Sequence, residues 1–115
     1  MIVFAAFFFL LAAFMGIFLL RSLLKNKRTY KPVVFMHGCV AGLALLIMAT
    51  YVALGHTGPL LITSLVLFIM AAIGGLTMFT LDTSGKRVPK IIVIGHPILA
   101  VISIIILITY IVQNS

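Results

Sequence analysis

Four long runs of apolar residues, separated by short polar segments, dominate the chain of 115 residues. The runs cover residues 2–20, 33–54, 60–81 and 91–112. A helix needs roughly 20 residues to cross about 30 Å of hydrocarbon, so each run is long enough to span a membrane. Because short connections join antiparallel neighbours, the pattern predicts an all-α, single-domain protein, an up-down-up-down four-helix bundle in the membrane.

The positions of three prolines support these boundaries. Pro32, Pro59 and Pro89 each fall one or two residues before an apolar run. Proline is well tolerated at the start of a helix, because the N–H that it lacks would have no helical partner there. We therefore expect the second, third and fourth helices to begin near these prolines.

Composition excludes a water-soluble domain and sets an orientation. Charged residues make up 8% of the chain and hydrophobic residues 64%, with a mean hydropathy of +1.40, whereas soluble domains carry about 25% charged residues. All eight lysines and arginines lie in segments 21–32 and 82–90. Since short loops rich in Lys and Arg stay cytoplasmic, both termini and the 55–59 turn are expected outside, in a bacterial inner membrane. The net charge of +7 then reflects topology and contact with lipid headgroups, with no nucleic-acid partner.

Two histidines within the spans are the candidates for chemistry. His37 follows Lys31 by six residues, and His96 follows Lys90 by six residues. At 1.5 Å per residue both rings are expected about 9 Å beyond the lysines. The second and fourth helices run in the same direction and are diagonal partners in such a bundle. The sequence therefore predicts two imidazoles that face each other at one depth.

Two facing imidazoles suit the two axial positions of a haem iron, so we expect one haem b held by His37 and His96 near the cytoplasmic side. Small residues at helical spacing from the histidines are expected to leave room for the macrocycle: Ala41, Ala44, Ala100 and Ser103. Lys31 and Lys90 are expected to pair with the haem carboxylates. No catalytic residue is predicted.

Other interpretations of these residues stay open. A histidine near a helix end often only bonds a neighbouring helix, and no third or fourth zinc ligand is evident at this depth. Cys39, the single cysteine, is predicted to be a small buried hydrophobe. Asp82, the single acidic residue, is expected to pair with Lys86 four residues on.

Small residues lie four apart at two places, Gly38 with Gly42 on the second helix and Ala71 with Gly75 on the third. Such spacing lets helices approach closely, and we expect it to serve contacts within the bundle, with dimerisation of the chain as the alternative.

The sequence resembles the four-helix membrane b-type cytochromes, including the cytochrome b561-like group, through His37-Gly38 and His96-Pro97 as helix-borne ligands between about residues 31 and 112. The resemblance implies electron transfer by haem. Members of that group typically hold two haems, whereas this chain supplies one histidine pair. Tyr51, His56 and Tyr110 cluster at the outer ends, where an aromatic belt at the membrane interface is the expected role and binding of a quinone or another redox substrate is the alternative. An oxidoreductase activity is left open. The alternative function is a haem-free accessory or structural subunit of a larger membrane complex.

Overall fold

A computed structural model describes residues 1–25, 27 and 29–114. Within these residues the regular structure consists of four helices: α1 (Ile2–Leu24), α2 (Lys31–Ala53), α3 (Pro59–Thr83) and α4 (Lys90–Gln113). Each helix is long and apolar enough to cross a membrane, which confirms the four predicted spans. The first helix continues one turn beyond its predicted end and includes Arg21, whose long apolar stem lets the charge reach the interface.

Prolines begin the helices and glycines end two of them. Helix α2 has Pro32 in its first turn, α3 starts at Pro59, and Pro89 caps α4. The chain leaves α3 through Gly85 at φ 72°, where the Lys86 N–H donates to the Leu81 carbonyl at 2.9 Å. A left-handed residue after the last turn closes the free carbonyls of the helix, and glycine adopts it without a steric cost.

The helices form a bundle with unequal interfaces. Helices α1 and α2 pack closely as a first hairpin, and α3 and α4 as a second hairpin. Between the hairpins, α1 and α4 are in more extensive contact than α2 and α3, which leaves α2 and α4 diagonally opposite, as expected. The bundle is 43 Å long, close to the thickness of about 40–45 Å of a bilayer with its headgroups.

Stacked aromatic rings and a buried hydroxyl pair hold the centre of the bundle. The Phe9 and Phe68 rings lie parallel with their centroids 3.7 Å apart and join the diagonal helices α1 and α3. The fully buried Ser64 Oγ donates to the Ser103 carbonyl at 2.8 Å, so this polar atom is satisfied in the apolar interior. The aromatic stack therefore connects the two hairpins, and the hydrogen bond joins α3 to α4 within the second hairpin.

The outer surface suits lipid. Large apolar side chains are exposed along all four helices, among them Phe14, Leu46, Ile73 and Ile105. Exposed threonines donate to carbonyls one turn earlier, as Thr109 does to Ile105 at 2.8 Å. Since hydrocarbon offers no hydrogen-bond partner, this pattern lets the surface face a bilayer.

Three residues of α2 lie on this outer surface against expectation. Gly38, Gly42 and Cys39 are exposed, and nothing lies within 4 Å of where a Cβ of either glycine would be. The predictions that Gly38 and Gly42 serve contacts within the bundle and that Cys39 is buried are therefore wrong. The same prediction is confirmed for Ala71 and Gly75, because Ala71 is buried and a Cβ on Gly75 would lie 3.1 Å from His96 Cε1. The inward face of α2 is set by Ala44 and Met48, which are fully buried.

The end of the bundle that holds the lysines and arginines is called the basic end. Here Lys31 Nζ pairs with Asp82 Oδ2 at 2.5 Å, and Thr29 Oγ1 donates to the same oxygen at 2.6 Å. Among the described residues the ion-pair partner of Asp82 is thus Lys31, not Lys86 as predicted. The pair joins α2 to α3, because both residues lie at the same end of adjacent helices.

Candidate functional site

The structure brings His37 of α2 and His96 of α4 together inside the bundle. Their ring centroids are 6.2 Å apart, and the ring planes are nearly perpendicular, at 83°. The two rings come from diagonal helices of different hairpins. They are therefore placed to share a ligand between them.

The backbone of the preceding helix fixes the proton of each ring. His37 Nδ1 lies 2.8 Å from the Ala12 carbonyl, and His96 Nδ1 lies 2.7 Å from the Ala71 carbonyl. A carbonyl oxygen only accepts, so Nδ1 is the donor in both rings. In a neutral imidazole this leaves the lone pair on Nε2, the state in which histidine binds metals.

A glycine one turn after each carbonyl makes room for the ring. A Cβ built on Gly16 would lie 3.1 Å from His37 Cε1, and one built on Gly75 would lie 3.1 Å from His96 Cε1. A larger residue would push the imidazole away from its carbonyl partner. We call each carbonyl and glycine, Ala12 with Gly16 and Ala71 with Gly75, a histidine seat.

No protein-family model, curated protein or solved structure matches the chain. The chain does match itself. A shift of 59 residues places α1 on α3 and α2 on α4, and it superimposes each member of one histidine seat on its counterpart in the other. The thirteen identical pairs are Phe9/Phe68, Ala12/Ala71, Ala13/Ala72, Gly16/Gly75, Lys27/Lys86, Arg28/Arg87, Lys31/Lys90, Val34/Val93, His37/His96, Ala41/Ala100, Ile47/Ile106, Thr50/Thr109 and Tyr51/Tyr110.

The repeat relates the two hairpins by a pseudo-two-fold axis along the bundle, as in membrane proteins built from parallel repeats. The stacked Phe9 and Phe68 and the facing His37 and His96 are pairs of equivalent residues that meet across this axis. Each hairpin thus contributes one histidine and one histidine seat. The same spacing from glycine to histidine in both halves is the sequence signal that identifies Gly16, which the residue-by-residue reasoning missed.

A cavity of about 170 Å³ lies beside the histidines and is walled by all four helices. It extends toward the basic end as far as Leu23, Thr29 and Asp82, and its lining is almost entirely apolar. Pockets for small-molecule ligands usually measure about 300–1,000 Å³, so a larger ligand would reach outward between helices. Of the four adjacent pairs of helices, α2 and α3 are in the least extensive contact.

The four small residues predicted to make room for a haem lie in different surroundings. Ala100 lines the cavity, and its repeat equivalent Ala41 is half-buried. Ala44 and Ser103 are fully buried in the core and do not line the cavity. The space lies on the basic-end side of the histidines, because Met48 and other large core side chains fill the opposite side.

The two predicted lysine partners also differ from each other. Lys31 is bound to Asp82, whereas Lys90 lines a second pocket at the basic end. Arg28, one of the predicted loop cations, lies outside the described residues.

The histidine separation distinguishes between kinds of metal centre. With metal–nitrogen bonds of about 2.0 Å, two imidazoles opposite each other on one metal have centroids about 6.3 Å apart, and on a tetrahedral metal about 5.2 Å apart. The observed centroid distance of 6.2 Å is closer to the first value than to the second. Among the described residues no group of three or more His, Cys, Asp or Glu side chains is placed to hold a metal, which a four-ligand zinc site would need.

The tyrosines and His56 meet at the end of the bundle opposite the basic end. The Tyr51 and His56 rings are stacked at 3.9 Å, and His56 Nδ1 lies 3.0 Å from the Tyr51 carbonyl. The buried Tyr110 ring lies 3.3 Å from a Cβ built on Gly58. These contacts are internal to the cluster, which does not line the histidine cavity.

Proposed function

We propose that the protein is a small membrane cytochrome that holds one haem b between His37 and His96 and serves electron transfer. The observation that carries the proposal is the pair of rings 6.2 Å apart, each with Nδ1 bound to a carbonyl. With these features, His37 and His96 would be the residues that hold the haem iron.

The residues around the histidines would orient the imidazole rings and raise the basicity of Nε2. The Ala12 and Ala71 carbonyls accept from Nδ1, hold each ring in one tautomer and make Nε2 a better donor. The apolar cavity wall limits access of water. Haem supplies one-electron chemistry, and with two histidine ligands its iron has no open position, so exchange of electrons is favoured over binding of O₂.

An absorbance spectrum tests this proposal directly. We expect protein purified in detergent to show the bands of a low-spin haem with two histidine ligands, and one haem per chain after haemin is supplied. Circular dichroism on the same sample reports whether the helices are intact. A helical protein that stays colourless with added haemin would exclude the cytochrome.

The proposed orientation places the basic end in the cytoplasm and both termini outside, in a bacterial inner membrane. It rests on the confinement of all eight lysines and arginines to segments 21–32 and 82–90. The lipid bilayer, haem and a redox partner such as a quinone are the proposed partners.

Cysteine labelling tests this orientation. In a Cys39→Ser background, we expect His56→Cys to react with a membrane-impermeant maleimide on intact cells, because His56 lies in the outer turn. Ser84→Cys, a matched exposed position at the basic end, should react only after the membrane is permeabilised. The opposite labelling pattern would show that the basic end lies outside and that the proposed orientation is wrong.

A second function is favoured by the exposed glycines of α2. Gly38 and Gly42 leave a smooth lipid-facing strip on which another helix can pack closely, as in a haem-free accessory subunit or a second copy of the chain. This role predicts a colourless protein whose association is lost in Gly38→Leu with Gly42→Leu.

A further inference from the structure

The two halves of the repeat differ at the basic end. Lys31 and Lys90 are equivalent, but Asp82 is equivalent to Leu23. Lys31 therefore pairs with an acid across the α2–α3 interface, while Lys90 faces the α1–α4 side, where leucine stands in the acid's place. Asp82 is the chain's single acidic residue, and its Oδ2 already binds Lys31 and Thr29. The lysine at the α2–α3 interface therefore has a carboxylate partner, and its equivalent at the α1–α4 interface shares its surroundings with a leucine.

A pocket of about 400 Å³ lies beside Lys90 at the basic end. Three basic side chains line it: Lys86, Arg87 and Lys90, with Leu23, Val88, Val93 and the edge of Asp82 completing the wall. It also lies at the start of α4, where the helix dipole adds positive potential. Three cations and one carboxylate give the pocket a net positive charge.

This pocket adjoins the histidine cavity. Leu23, Asp82 and Val93 line both spaces, so the basic pocket opens at the basic-end mouth of the cavity. A ligand between the histidines that carries acidic groups could place them among Lys86, Arg87 and Lys90. The apolar histidine cavity and the adjoining basic pocket together suit a ligand that has an apolar body and an anionic group.

We propose that this basic pocket binds an oxyanion, a carboxylate or a phosphate, on one side of the pseudo-symmetric site. A haem carboxylate is one source and rests on the proposed function; the phosphate of a membrane phospholipid is the other. Positive side chains bind both through charge-assisted hydrogen bonds.

The test compares two variants of equal charge in the full chain. Lys86→Gln with Lys90→Gln alters the basic pocket, and Lys25→Gln with Lys27→Gln removes two exposed cations at the same end but outside the pocket. Haemin and haemin dimethyl ester, which lacks free carboxylates, are titrated into each. For a haem carboxylate we expect the pocket variant to bind haemin about tenfold more weakly than the control variant and the ester equally well.

A lipid arm distinguishes the phosphate source. Each protein is reconstituted in phosphatidylcholine vesicles with a minor share of phosphatidylglycerol, extracted, and analysed by native mass spectrometry for retained phosphatidylglycerol. A severalfold loss of this lipid in the pocket variant alone would assign a phosphate. If the two variants agree in both arms, the oxyanion site is wrong. If no protein takes up haemin or its ester, the cytochrome fails while the lipid arm still decides the pocket.

Discussion

Replacement of His37 or His96 with alanine is expected to abolish the spectrum of a haem with two histidine ligands. We expect haem affinity to fall more than about 100-fold, because loss of a hydrogen-bond partner of a ligand alone lowers affinity about 10- to 100-fold. The two rings lie 6.2 Å apart on different hairpins, so neither can replace the other. Absorbance and haemin titration of the purified variants measure both effects. His56→Ala is the matched control, because His56 is exposed and lies in the opposite turn.

Added imidazole separates loss of a ligand from loss of the fold. In His37→Ala or His96→Ala, free imidazole should enter the vacated space and restore the low-spin bands, while the helical content stays that of the parent protein. If His37→Ala and His96→Ala keep the parent spectrum, or if His56→Ala alone loses it, the assignment of this histidine pair is wrong.

Valine at either seat glycine is expected to displace a histidine without removing it. The Cβ of Gly16→Val or Gly75→Val would begin 3.1 Å from an imidazole carbon, and two further methyl groups follow. The ring must move, and the Nδ1 hydrogen bond is lost, at a cost of roughly 1–3 kcal/mol in the free energy of unfolding. We expect haem affinity to fall about 10- to 100-fold, as when a ligand's supporting contact is removed.

A control variant and a variant of intermediate side-chain size accompany Gly16→Val and Gly75→Val. Gly42→Val adds the same side chain where nothing of the chain lies within 4 Å, so its haem affinity should equal that of the parent. Gly16→Ala should fall between glycine and valine. Because the repeat makes the two seats equivalent, Gly16→Val and Gly75→Val should have similar effects. Equal affinity in the seat variants and Gly42→Val would show that the seats do not position the rings.

The spans were predictable because length and hydropathy alone decide whether a helix can cross a bilayer. Which face of each helix points into the bundle was harder to predict. In α2 the lipid-facing and buried positions are both apolar, so the sequence offers little contrast to place Cys39 outside and Met48 inside. In water the polar side of a helix marks its surface; here only packing decides, and the side chain sizes of all four helices determine it together.

The histidine pair followed from loop spacing, but its support did not. The Ala12 and Ala71 partners are backbone atoms, and Gly16 and Gly75 act by having no side chain, so none carries a chemical signature of its own. Their recurrence at a shift of 59 residues does carry one. The pairing of Asp82 was missed because its partner Lys31 is 51 residues away, and the nearer Lys86 satisfied the rule for neighbours on one helix.

The unequal interfaces of the bundle bear on how the protein assembles. Contacts are concentrated within each hairpin, so two hairpins can insert and fold first and associate afterwards. A ligand bound by both His37 and His96 would form one bond to each hairpin and so hold the two hairpins together. Because a ligand that binds only the associated form stabilises it in proportion to the logarithm of its concentration, cofactor supply would govern the lifetime of this protein in the membrane.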